Sequence, residues 1–390
     1  MAGLAFKMIN SRVALVLPGG GARAAYQAGV LRGISDICSF IESPFQIISG
    51  ISAGGINGMW LASGAKDFTI ATEMMYDNWK NLSVDNVYRT DAATLLSTGA
   101  KWIRNLSLGD VFGKSRINYL LDTSPLKKLL KEKIDFESIQ ENLNSGLLYG
   151  ISLSATDYHL GSAVTFFAGN SDIKDWKHTL SAGQRESITV DHIMASAALP
   201  IFFPMVHING RDYGDGGVGL KTPLSPAINM GASRLLVIGV QNPRGGLTEK
   251  NNEHVSRATL GDVTGSLLNS LFLNSLDADI ERLALLNRTV SIFTPEQSKA
   301  DVDGLRNIPI LVIRPSRDLS FVGIKEFAHF PFAVRHLLKG LGVNDRKGWD
   351  LLSYLSFDQV YAAALLDLGY ADALDKKNEI IKFFKPTDSH

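Results

Sequence analysis

The chain has 390 residues, which is enough for one large domain or two of ordinary size. Hydrophobic residues make up 45% and charged residues 20%, so a sizeable core is expected. Because 39 Lys and Arg residues balance 39 Asp and Glu residues, the overall charge does not support a nucleic-acid or strongly anionic partner. The single cysteine, Cys38, excludes an internal disulfide framework, and we expect a reducing, cytoplasmic location.

No segment of the sequence has the character of a membrane anchor. Residues 1–12 contain no long apolar run and no clear cleavage site, so a classical signal peptide is not expected. Nowhere do about 18 apolar residues follow one another, and no membrane-spanning helix is predicted. Any contact with a membrane is therefore expected to be peripheral.

Short apolar runs that favour β-strands alternate with helical patterns. The strand candidates are Val13–Leu17 and residues 45–49, 147–155, 164–167, 235–240, 290–293 and 309–313. Helical patterns cover residues 22–37 and 267–286, and a glycine-rich helix is predicted to end near Gly64. This alternation predicts a three-layer α/β/α fold with a mainly parallel central sheet.

The chain divides into a main region and a helical C-terminal region. Residues 11–320 are predicted to form the main domain, in which residues 65–145 are a mostly helical cap. Residues 321–390 are predicted to be a helical extension that packs on this domain. An apolar stripe at residues 354–368 fits burial better than docking on lipid, because its polar side is not especially basic. The polar residues 241–256 are predicted to be a loop.

The first chemical motif is a serine between glycines, after the strand candidate at residues 45–49. Gly50, Ser52 and Gly54 fit the pattern G-x-S-x-G. Such a serine lies on a sharp strand-to-helix turn that exposes its hydroxyl, and the glycines are needed because a Cβ would clash there. The helix behind it favours negative charge at its amino end. This placement predicts that Ser52 is a nucleophile.

A glycine-rich loop follows the first strand and opens the first helix. It contains Gly19, Gly20 and Gly21, followed by Arg23. Glycines at such a junction allow backbone N–H groups to converge on an anion. Two anions fit this loop, the oxyanion of a tetrahedral acyl intermediate and a pyrophosphate. A third interpretation is a turn that only packs the helix against the strand.

The pyrophosphate alternative depends on Gly19, Gly21 and Ala24, which fit the dinucleotide fingerprint G-x-G-x-x-A. That fingerprint needs an acidic residue at the end of the second strand to bind the ribose. Here the strand ends in serine and glycine, and Glu42 lies before it. The Walker A pattern also fails, since no Gly-Lys-Ser/Thr follows. A dinucleotide site is therefore disfavoured.

The third motif is an aspartate at the end of a predicted β-hairpin. Asn209 and Gly210 stand between two short β-runs, which is the strongest two-residue hairpin signal. The second run leads into Asp215, Gly216 and Gly217, so the carboxylate would lie on a glycine-flanked bend at the end of a strand. Taken alone, Asp-Gly is also common in ordinary turns.

Together and in this order, the motifs resemble those of the patatin-like phospholipases. That family combines a glycine-rich oxyanion loop carrying a basic residue with G-x-S-x-G and a later Asp-Gly-Gly or Asp-Gly-Ala. Residues 195–204 also look like the segment before the aspartate hairpin of the family. One departure is Ala24, where the family loop usually ends in glycine. The likeness covers roughly residues 11–320, and nothing is carried onto the C-terminal region.

The resemblance implies a Ser52–Asp215 dyad, in which Asp215 accepts the serine proton directly. For Arg23, a role at the oxyanion hole and a purely structural role, as a solvated charge or in an ion pair with a nearby acid, are equal alternatives. The other residues that the resemblance implies are Gly19, Gly20, Gly21 and Arg23 for the oxyanion hole, Gly50 and Gly54 for the nucleophile elbow, and Gly216 and Gly217 for the dyad loop.

A serine–histidine–acid triad is the competing mechanism. Among the eight histidines, His159, His192 and His207 are candidates, but none stands in a context diagnostic of a catalytic base. No spacing of His, Cys and carboxylates suggests a zinc site. Residues 301–304 have the start of a calcium-loop pattern but lack its further ligands. We therefore expect no metal and no cofactor.

The activity that the resemblance implies is hydrolysis of fatty acyl esters of phospholipids or lysophospholipids through an acyl-enzyme. The first alternative is an acyltransferase, in which an alcohol or thiol replaces water at the same acyl-enzyme. The second is a non-catalytic, membrane-associated regulatory protein. The expected partner is a lipid acyl ester substrate, with peripheral membrane contact as an open question. The sequence does not determine the oligomeric state.

Overall fold

The computed structural model of the chain describes residues 12–91, 119–242, 259–272, 274–292, 306–322, 332–340, 342–343 and 348–385, together with positions 94, 97 and 100. Within these residues, one mixed β-sheet lies between layers of helices. The predicted three-layer α/β fold is confirmed. The predicted loop at residues 241–256 and the sequence pattern at residues 301–304 lie almost entirely outside the described residues.

The strands and helices follow one another along the chain in the alternation expected of this fold class. The strands are β1 (Val13–Leu17), β2 (Ile47–Ile51), β3 (Gly150–Asp157), β4 (Ser162–Gly169), β5 (Trp176–Lys177), β6 (Ser181–Arg185), β7 (Val206–Ile208), β8 (Arg211–Asp215), β9 (Arg234–Ile238) and β10 (Ile310–Ile313).

The helices of the described residues range from single turns to the 19-residue α11. They are α1 (Ala25–Cys38), α2 (Ser52–Ser63), α3 (Phe68–Lys80), α4 (Val84–Val87), α5 (Ser124–Lys133), α6 (Phe136–Asn144), α7 (Val190–Ser196), α8 (Gly216–Gly219), α9 (Ser225–Asn229), α10 (Leu260–Phe272), α11 (Asn274–Ile292), α12 (Phe332–Gly340), α13 (Trp349–Leu355), α14 (Gln359–Asp375) and α15 (Lys377–Phe384). A 3₁₀ turn (Gly21–Ala24) precedes α1.

The sheet has a parallel half and a mixed half. Its strand order is β10-β9-β1-β2-β3-β4-β6-β5, and the pairings from β10 to β3 are all parallel. Strand β4 runs antiparallel to β3, and the hairpin of β7 and β8 joins through an antiparallel pairing of β8 with β3. The parallel half has the crossovers through helices that such pairing requires.

The position of β1 inside the sheet explains why its sequence is continuously apolar. Its residues alternate between two hydrophobic cores, with Val13, Leu15 and Leu17 on one face of the sheet and Ala14 and Val16 on the other. All five are buried. A strand covered on both faces by helices is expected to read as an unbroken apolar run.

Three of the predicted elements differ from the structure. The predicted strand at residues 290–293 is wrong, because α11 continues as a helix to Ile292. A four-residue run with β-branched members cannot be told from a helix end by its periodicity. The helix predicted at residues 267–286 is represented by two helices, α10 and α11. The strand predicted at residues 45–49 begins two residues later, as β2.

The C-terminal helices pack against the first helix at close range. A Cβ on Gly29 of α1 would lie 2.1 Å from the carbonyl oxygen of Leu366 in α14, and one on Gly369 would lie 2.2 Å from the carbonyl oxygen of Tyr26. The apolar stripe of residues 354–368 includes Tyr354 and Tyr361, which are both fully buried. In the described part of the chain, no helix has both the length and the apolar character needed to cross a bilayer.

We predict that Gly29→Ala destabilises the protein because the added methyl group meets the backbone of Leu366, which cannot move alone. Overpacking of this kind costs about 1–3 kcal/mol in the free energy of unfolding. Gly340→Ala is the matched control, since a Cβ there has no neighbour within 4 Å. Thermal unfolding measures both. Equal midpoints for the two variants would contradict the close packing of α1 and α14.

Candidate active site

Ser52 lies at the junction of β2 and α2, as the sequence predicts. It is the first residue of α2 and has φ +55°, a conformation in which non-glycine residues are strained. Its side chain is nearly buried, with a residue exposure of 5%. Such strain at a strand-to-helix turn is typical of a nucleophile elbow, and the amino end of α2 lies directly behind the serine.

The two glycines of the elbow leave room for neighbouring backbone. A Cβ on Gly54 would lie 2.3 Å from the carbonyl oxygen of Leu17 and 2.5 Å from that of Pro18. A Cβ on Gly50 would lie 2.5 Å from the Cα of Gly55. The turn that carries Ser52 therefore rests directly on the end of β1, where the glycine-rich loop begins.

Ser196, at the end of α7, holds the elbow in place. Its hydroxyl accepts a hydrogen bond from the backbone N–H of Ser52 at 2.9 Å and donates one to the carbonyl oxygen of Ser154 at 2.6 Å. Ser196 is completely buried. Ser196 lies in the segment at residues 195–204, whose sequence does not predict this role. Its contacts are 144 and 42 positions away in the chain, so no local pattern indicates them.

Asp215 ends strand β8 after the predicted hairpin. Asn209 and Gly210 both have positive φ, 48° and 81°, which suits the two-residue turn between β7 and β8. The backbone of Asp215 is fixed on both sides, since its N–H donates to Ala198 at 3.0 Å and its carbonyl accepts from Thr156 Oγ1 at 2.6 Å. The hairpin prediction is confirmed.

Strand β3 brings Ser52 and Asp215 together. β2 pairs with the first part of β3, where Ile51 lies opposite Ser154, and β8 pairs with its last part, where Asp215 lies opposite Ala155. Because β4 occupies the other edge of β3 along its whole length, β2 and β8 share one edge. They run in opposite directions, so their carboxyl ends meet.

The Asp215 carboxyl is completely buried, and this burial raises its pKa to about 7. Hydrogen bonding from the Ser52 hydroxyl and from the N–H of Gly217, at 2.9 Å to Oδ1, lowers the pKa in part. Among the described residues, Oδ2 has no hydrogen-bond partner with acceptable distance and angle, so Ser52 acts on the carboxyl without a well-formed hydrogen bond to this oxygen. Catalytic hydrogen bonds often tighten only when the substrate binds.

Gly216 and Gly217 shape the bend after Asp215. A Cβ on Gly216 would lie 2.1 Å from the carbonyl oxygen of Ser154, so only glycine fits there without a shift of the backbone. Gly217 donates its N–H to the Asp215 carboxyl. The bend thus keeps the carboxyl close to β3 and supplies one of its hydrogen bonds.

The glycine-rich loop lies beside the elbow. Gly19 and Gly20 are buried, and Gly21 has φ +56° at the start of the 3₁₀ turn. The N–H of Arg23 donates to the carbonyl oxygen of Gly20 at 3.1 Å and closes this turn. Because Gly54 contacts the loop's first carbonyl groups, the loop and Ser52 are neighbours. A cluster of backbone amides at such a turn is suited to binding an anion.

The Arg23 guanidinium is buried among polar groups of the C-terminal half of the chain. Its Nε donates to Ser353 Oγ at 2.8 Å, and its Nη2 forms an ion pair with Asp350 at 3.1 Å. It also lies over the Tyr354 ring, 4.3 Å from the centroid. Arg23 is only 2% exposed, so the solvated charge is wrong and the ion pair is present. Direct contact with an oxyanion stays a prediction.

Two buried side-chain amides, which the sequence did not indicate, bind carbonyl groups at the two ends of the glycine-rich loop. Gln27 Nε2 donates to the carbonyl oxygen of Pro18 at 2.9 Å, and Asn57 Nδ2 donates to that of Ala24 at 3.0 Å. The two side chains also bond to each other, at 3.0 Å. Both are completely buried. They tie the two ends of the glycine-rich loop to helix α2.

The candidate histidines have their own partners. Nδ1 of His192 contacts Thr189 Oγ1 at 2.9 Å, while His159 and His207 both pair with Asp212 at the surface, at 3.3 Å and 2.9 Å. The hydrogen-bonding groups that act on the Asp215 carboxyl are Ser52 and Gly217. Within the described residues, no group of three or more His, Cys, Asp or Glu side chains could hold a metal ion.

Comparison with known proteins gives relatives among lipid hydrolases. The chain is 25% identical over 314 residues to the cGAMP-activated phospholipase of Pseudomonas aeruginosa, covering 76% of this chain and 83% of that protein. It is 26% identical over 219 residues to a probable lipid hydrolase of Invertebrate iridescent virus 6, and the match covers 55% of this chain and 62% of that protein. The human GIVD cytosolic phospholipase A2, solved with methyl gamma-linolenyl fluorophosphonate, has a TM-score of 0.41 at 12% identity, covering 96% of this chain and 58% of its own.

A family model covers the region that contains the whole candidate site. The model for patatin-like phospholipases matches residues 15–228, which is more than half of the 390 residues. This span includes the glycine-rich loop, the elbow with Ser52 and the bend with Asp215. The chain therefore belongs to the patatin-like phospholipase family of lipid hydrolases.

Proposed function

We propose that this chain hydrolyses fatty acyl esters of phospholipids or lysophospholipids, with Ser52 as nucleophile and Asp215 as general base. The observation that carries the proposal is the meeting of β2 and β8 on one edge of β3. Through this register, a strained serine faces a buried carboxyl whose pKa is raised to about 7. A base poised near neutral pH is what proton abstraction from a hydroxyl requires.

The acylation step follows from these positions. Ser52 Oγ attacks the ester carbonyl carbon while its proton passes to the Asp215 carboxylate. The tetrahedral intermediate then collapses, and the leaving alcohol takes this proton from Asp215 as the C–O bond breaks. An acyl-enzyme on Ser52 and an ionised Asp215 remain. Oδ2 of Asp215 is suited to the proton transfer, because Oδ1 already accepts the N–H of Gly217.

The negative charge of the intermediate needs donors on the other side of the carbonyl. We assign this role to the backbone amides of the turn at Gly20 and Gly21, which lies beside the elbow through the contact of Gly54 with Leu17 and Pro18. Losing one such donor typically reduces turnover by roughly 10²–10³. The amino end of α2 adds a favourable dipole at the same place.

Deacylation repeats the chemistry with water. Asp215 accepts a proton from water as its oxygen attacks the acyl carbon, and the proton then returns to Ser52 Oγ as the fatty acid leaves. The assignment to lipid acyl esters is supported by the family and by two relatives, one named a phospholipase and the other a probable lipid hydrolase. Peripheral contact with a lipid surface belongs to the same proposal.

Ser52→Ala and Asp215→Asn are expected to reduce hydrolysis of a lysophospholipid and of a short p-nitrophenyl ester by a factor of about 10³ or more, since each removes one partner of a coupled pair. Release of free fatty acid measures the activity, and a fluorophosphonate probe should label the wild type at Ser52. Ser152→Ala, which removes a buried hydroxyl that bonds to Ser49 on β2, is the control and should stay active.

A folded wild type that is not labelled would contradict the proposal and favour the non-catalytic alternative. Acyl groups recovered on an added alcohol or thiol, with little free fatty acid, would identify an acyltransferase that uses the same acyl-enzyme. A labelled Asp215→Asn variant with normal turnover would exclude Asp215 as the base.

The pH dependence of kcat/KM should have an acidic limb set by Asp215. Because burial raises the pKa of this carboxyl to about 7, the base becomes protonated as the pH falls through that value. We expect kcat/KM to fall about tenfold per pH unit below this point, as for a single essential base. Initial rates between pH 5 and 9 test this, with circular dichroism to verify the fold. A flat profile down to pH 5 would contradict the assignment.

Ser196→Ala should impair catalysis without touching the reacting groups. The variant leaves the N–H of Ser52 without its acceptor at a strained position, and an unpaired buried donor costs about 1–3 kcal/mol. We expect kcat to fall by about tenfold or more, which is the rate equivalent of about 1.4 kcal/mol. Ser152→Ala serves again as the comparison, and equal kcat values for the two variants would exclude a role for Ser196 in holding the elbow.

A further inference from the structure

The C-terminal region reaches the glycine-rich loop through one buried cation. The family model ends at residue 228, but every side-chain partner of Arg23 that the described residues include lies beyond it. The guanidinium side chain is only 3% exposed, whereas that of Asp350 is 36% exposed. A charge so deeply buried is stable only when its donors are paired, so the position of Arg23 depends on the C-terminal groups around it.

The partners of Arg23 form a connected network around α13. Ser353 and Asp350 both belong to this helix, and Ser320 Oγ donates to the Asp350 carboxylate at 2.8 Å while accepting from Arg23 Nη2 at 3.1 Å. Asn269 of α10 accepts from Arg23 Nη1 at 3.3 Å. Partial burial raises the pKa of Asp350, but hydrogen bonds from Asn269 and Ser320 and the nearby charge of Arg23 keep it below its usual value. The carboxylate therefore stays charged at neutral pH and neutralises Arg23.

The same helix also touches the loop backbone. A Cβ on Gly21 would lie 2.3 Å from the carbonyl oxygen of Tyr354, so the last turn of α13 lies directly against the loop. Arg23 is two residues further on, and its N–H closes the turn on Gly20. The loop is therefore held from one side by α13 through Arg23, and from the other by Gln27 and Asn57.

We infer that Asp350 and Ser353 are positioning residues, which fix the peptide orientation of the Gly20–Gly21 turn through Arg23. The inference rests on the proposed function, since the turn matters for rate only where negative charge develops beside it. Preorganised donors act through direction and distance, and a shift of a fraction of an ångström weakens them in the transition state. Asp350 and Ser353 belong to the C-terminal extension and lie outside the three motifs.

A matched control separates this role from general support of the fold. Asp372 of α14 is also a carboxylate in the C-terminal helices, and it is 6% exposed. It accepts from the Tyr26 hydroxyl at 3.0 Å and from the N–H of Ser316 at 2.9 Å. Asp372→Asn therefore removes a buried charge from the same layer without altering a partner of Arg23.

The experiment compares Asp350→Asn, Ser353→Ala and Asp372→Asn in the full chain, with a short p-nitrophenyl ester. We expect Asp350→Asn and Ser353→Ala to lower kcat about tenfold, a fraction of the roughly 10²–10³ lost with a whole oxyanion donor. KM should stay within about twofold, because the ground-state ester needs these donors little. Asp372→Asn should lower the melting temperature but keep kcat within about twofold when assayed well below it.

A second readout is the rate of inactivation by a fluorophosphonate, whose phosphoryl oxygen would occupy the same position as the oxyanion. This rate should fall in parallel with kcat in Asp350→Asn and Ser353→Ala. If Asp350→Asn does not fold, Ser353→Ala, which removes a single hydroxyl, decides the question alone.

The outcomes distinguish the two proposals. A wild type without turnover or labelling contradicts the proposed function itself. An active wild type with unchanged kcat in Asp350→Asn and Ser353→Ala overturns the positioning role. A loss of kcat in all three variants that follows the folded fraction also overturns it, because the C-terminal helices would then act through stability alone.

Discussion

Strands β2 and β8 approach each other end to end along a single edge of β3, and the site depends on this arrangement. β3 has eight residues and offers β2 only its first part, so that the pairing stops where Ile51 lies opposite Ser154. The free remainder is filled from the other direction by β8, which ends with Asp215 opposite Ala155. Neighbouring positions on one strand thus fix two residues that are far apart in the chain. Backbone hydrogen bonds make this placement, and the burial of alternate side chains on each face of the sheet fixes its register.

Burial of the Asp215 carboxyl lowers the stability of the fold, but it also raises the pKa of this group toward neutral pH. The desolvation that raises the pKa of Asp215 destabilises the ionised form in the folded protein relative to water. The strain at Ser52, with φ +55°, adds to this cost. Both are offset by contacts that leave these residues little freedom, such as the hydrogen bond that the N–H of Ser52 donates to Ser196 Oγ and the one that Thr156 Oγ1 donates to the Asp215 carbonyl. Functional sites commonly break local rules in this way, with compensation nearby.

The sequence predicts best what is encoded by neighbouring residues. The bounds of β1 follow from a five-residue apolar run before glycines, and the β7–β8 hairpin follows from Asn209 and Gly210. The motifs also indicate that Ser52 and Asp215 belong to one site, through their resemblance to a family. Prediction fails where a short apolar run fits a strand and a helix end equally well. The run at residues 290–293 has strand-forming side chains, but its described residues up to Ile292 continue the helix α11.

Remote contacts explain why the supporting residues were missed. Ser196 and Gln27 act on main-chain atoms of other elements, which leaves no pattern in their own neighbourhood. Arg23 stands in a motif, but its partners Asp350 and Ser353 follow more than 320 positions later. A residue type at a motif position predicts that a charge is present, whereas only the folded chain determines which groups neutralise it. The division of the chain at residue 320 likewise stays a prediction.

The region beyond the family match completes the sheet on which the motifs stand. β1 pairs with β2 on one edge and with β9 on the other, and β10 then covers β9. Without β9 and β10, an entirely apolar strand would be left at an edge, which soluble folds avoid. On the helical side, α14 packs so closely on α1 that glycines are needed at the crossing. The glycine-rich loop joins β1 to α1, and both of these elements are held by the C-terminal half. The geometry of the loop is therefore a property of the whole chain, although the motif that identifies it occupies only a few residues.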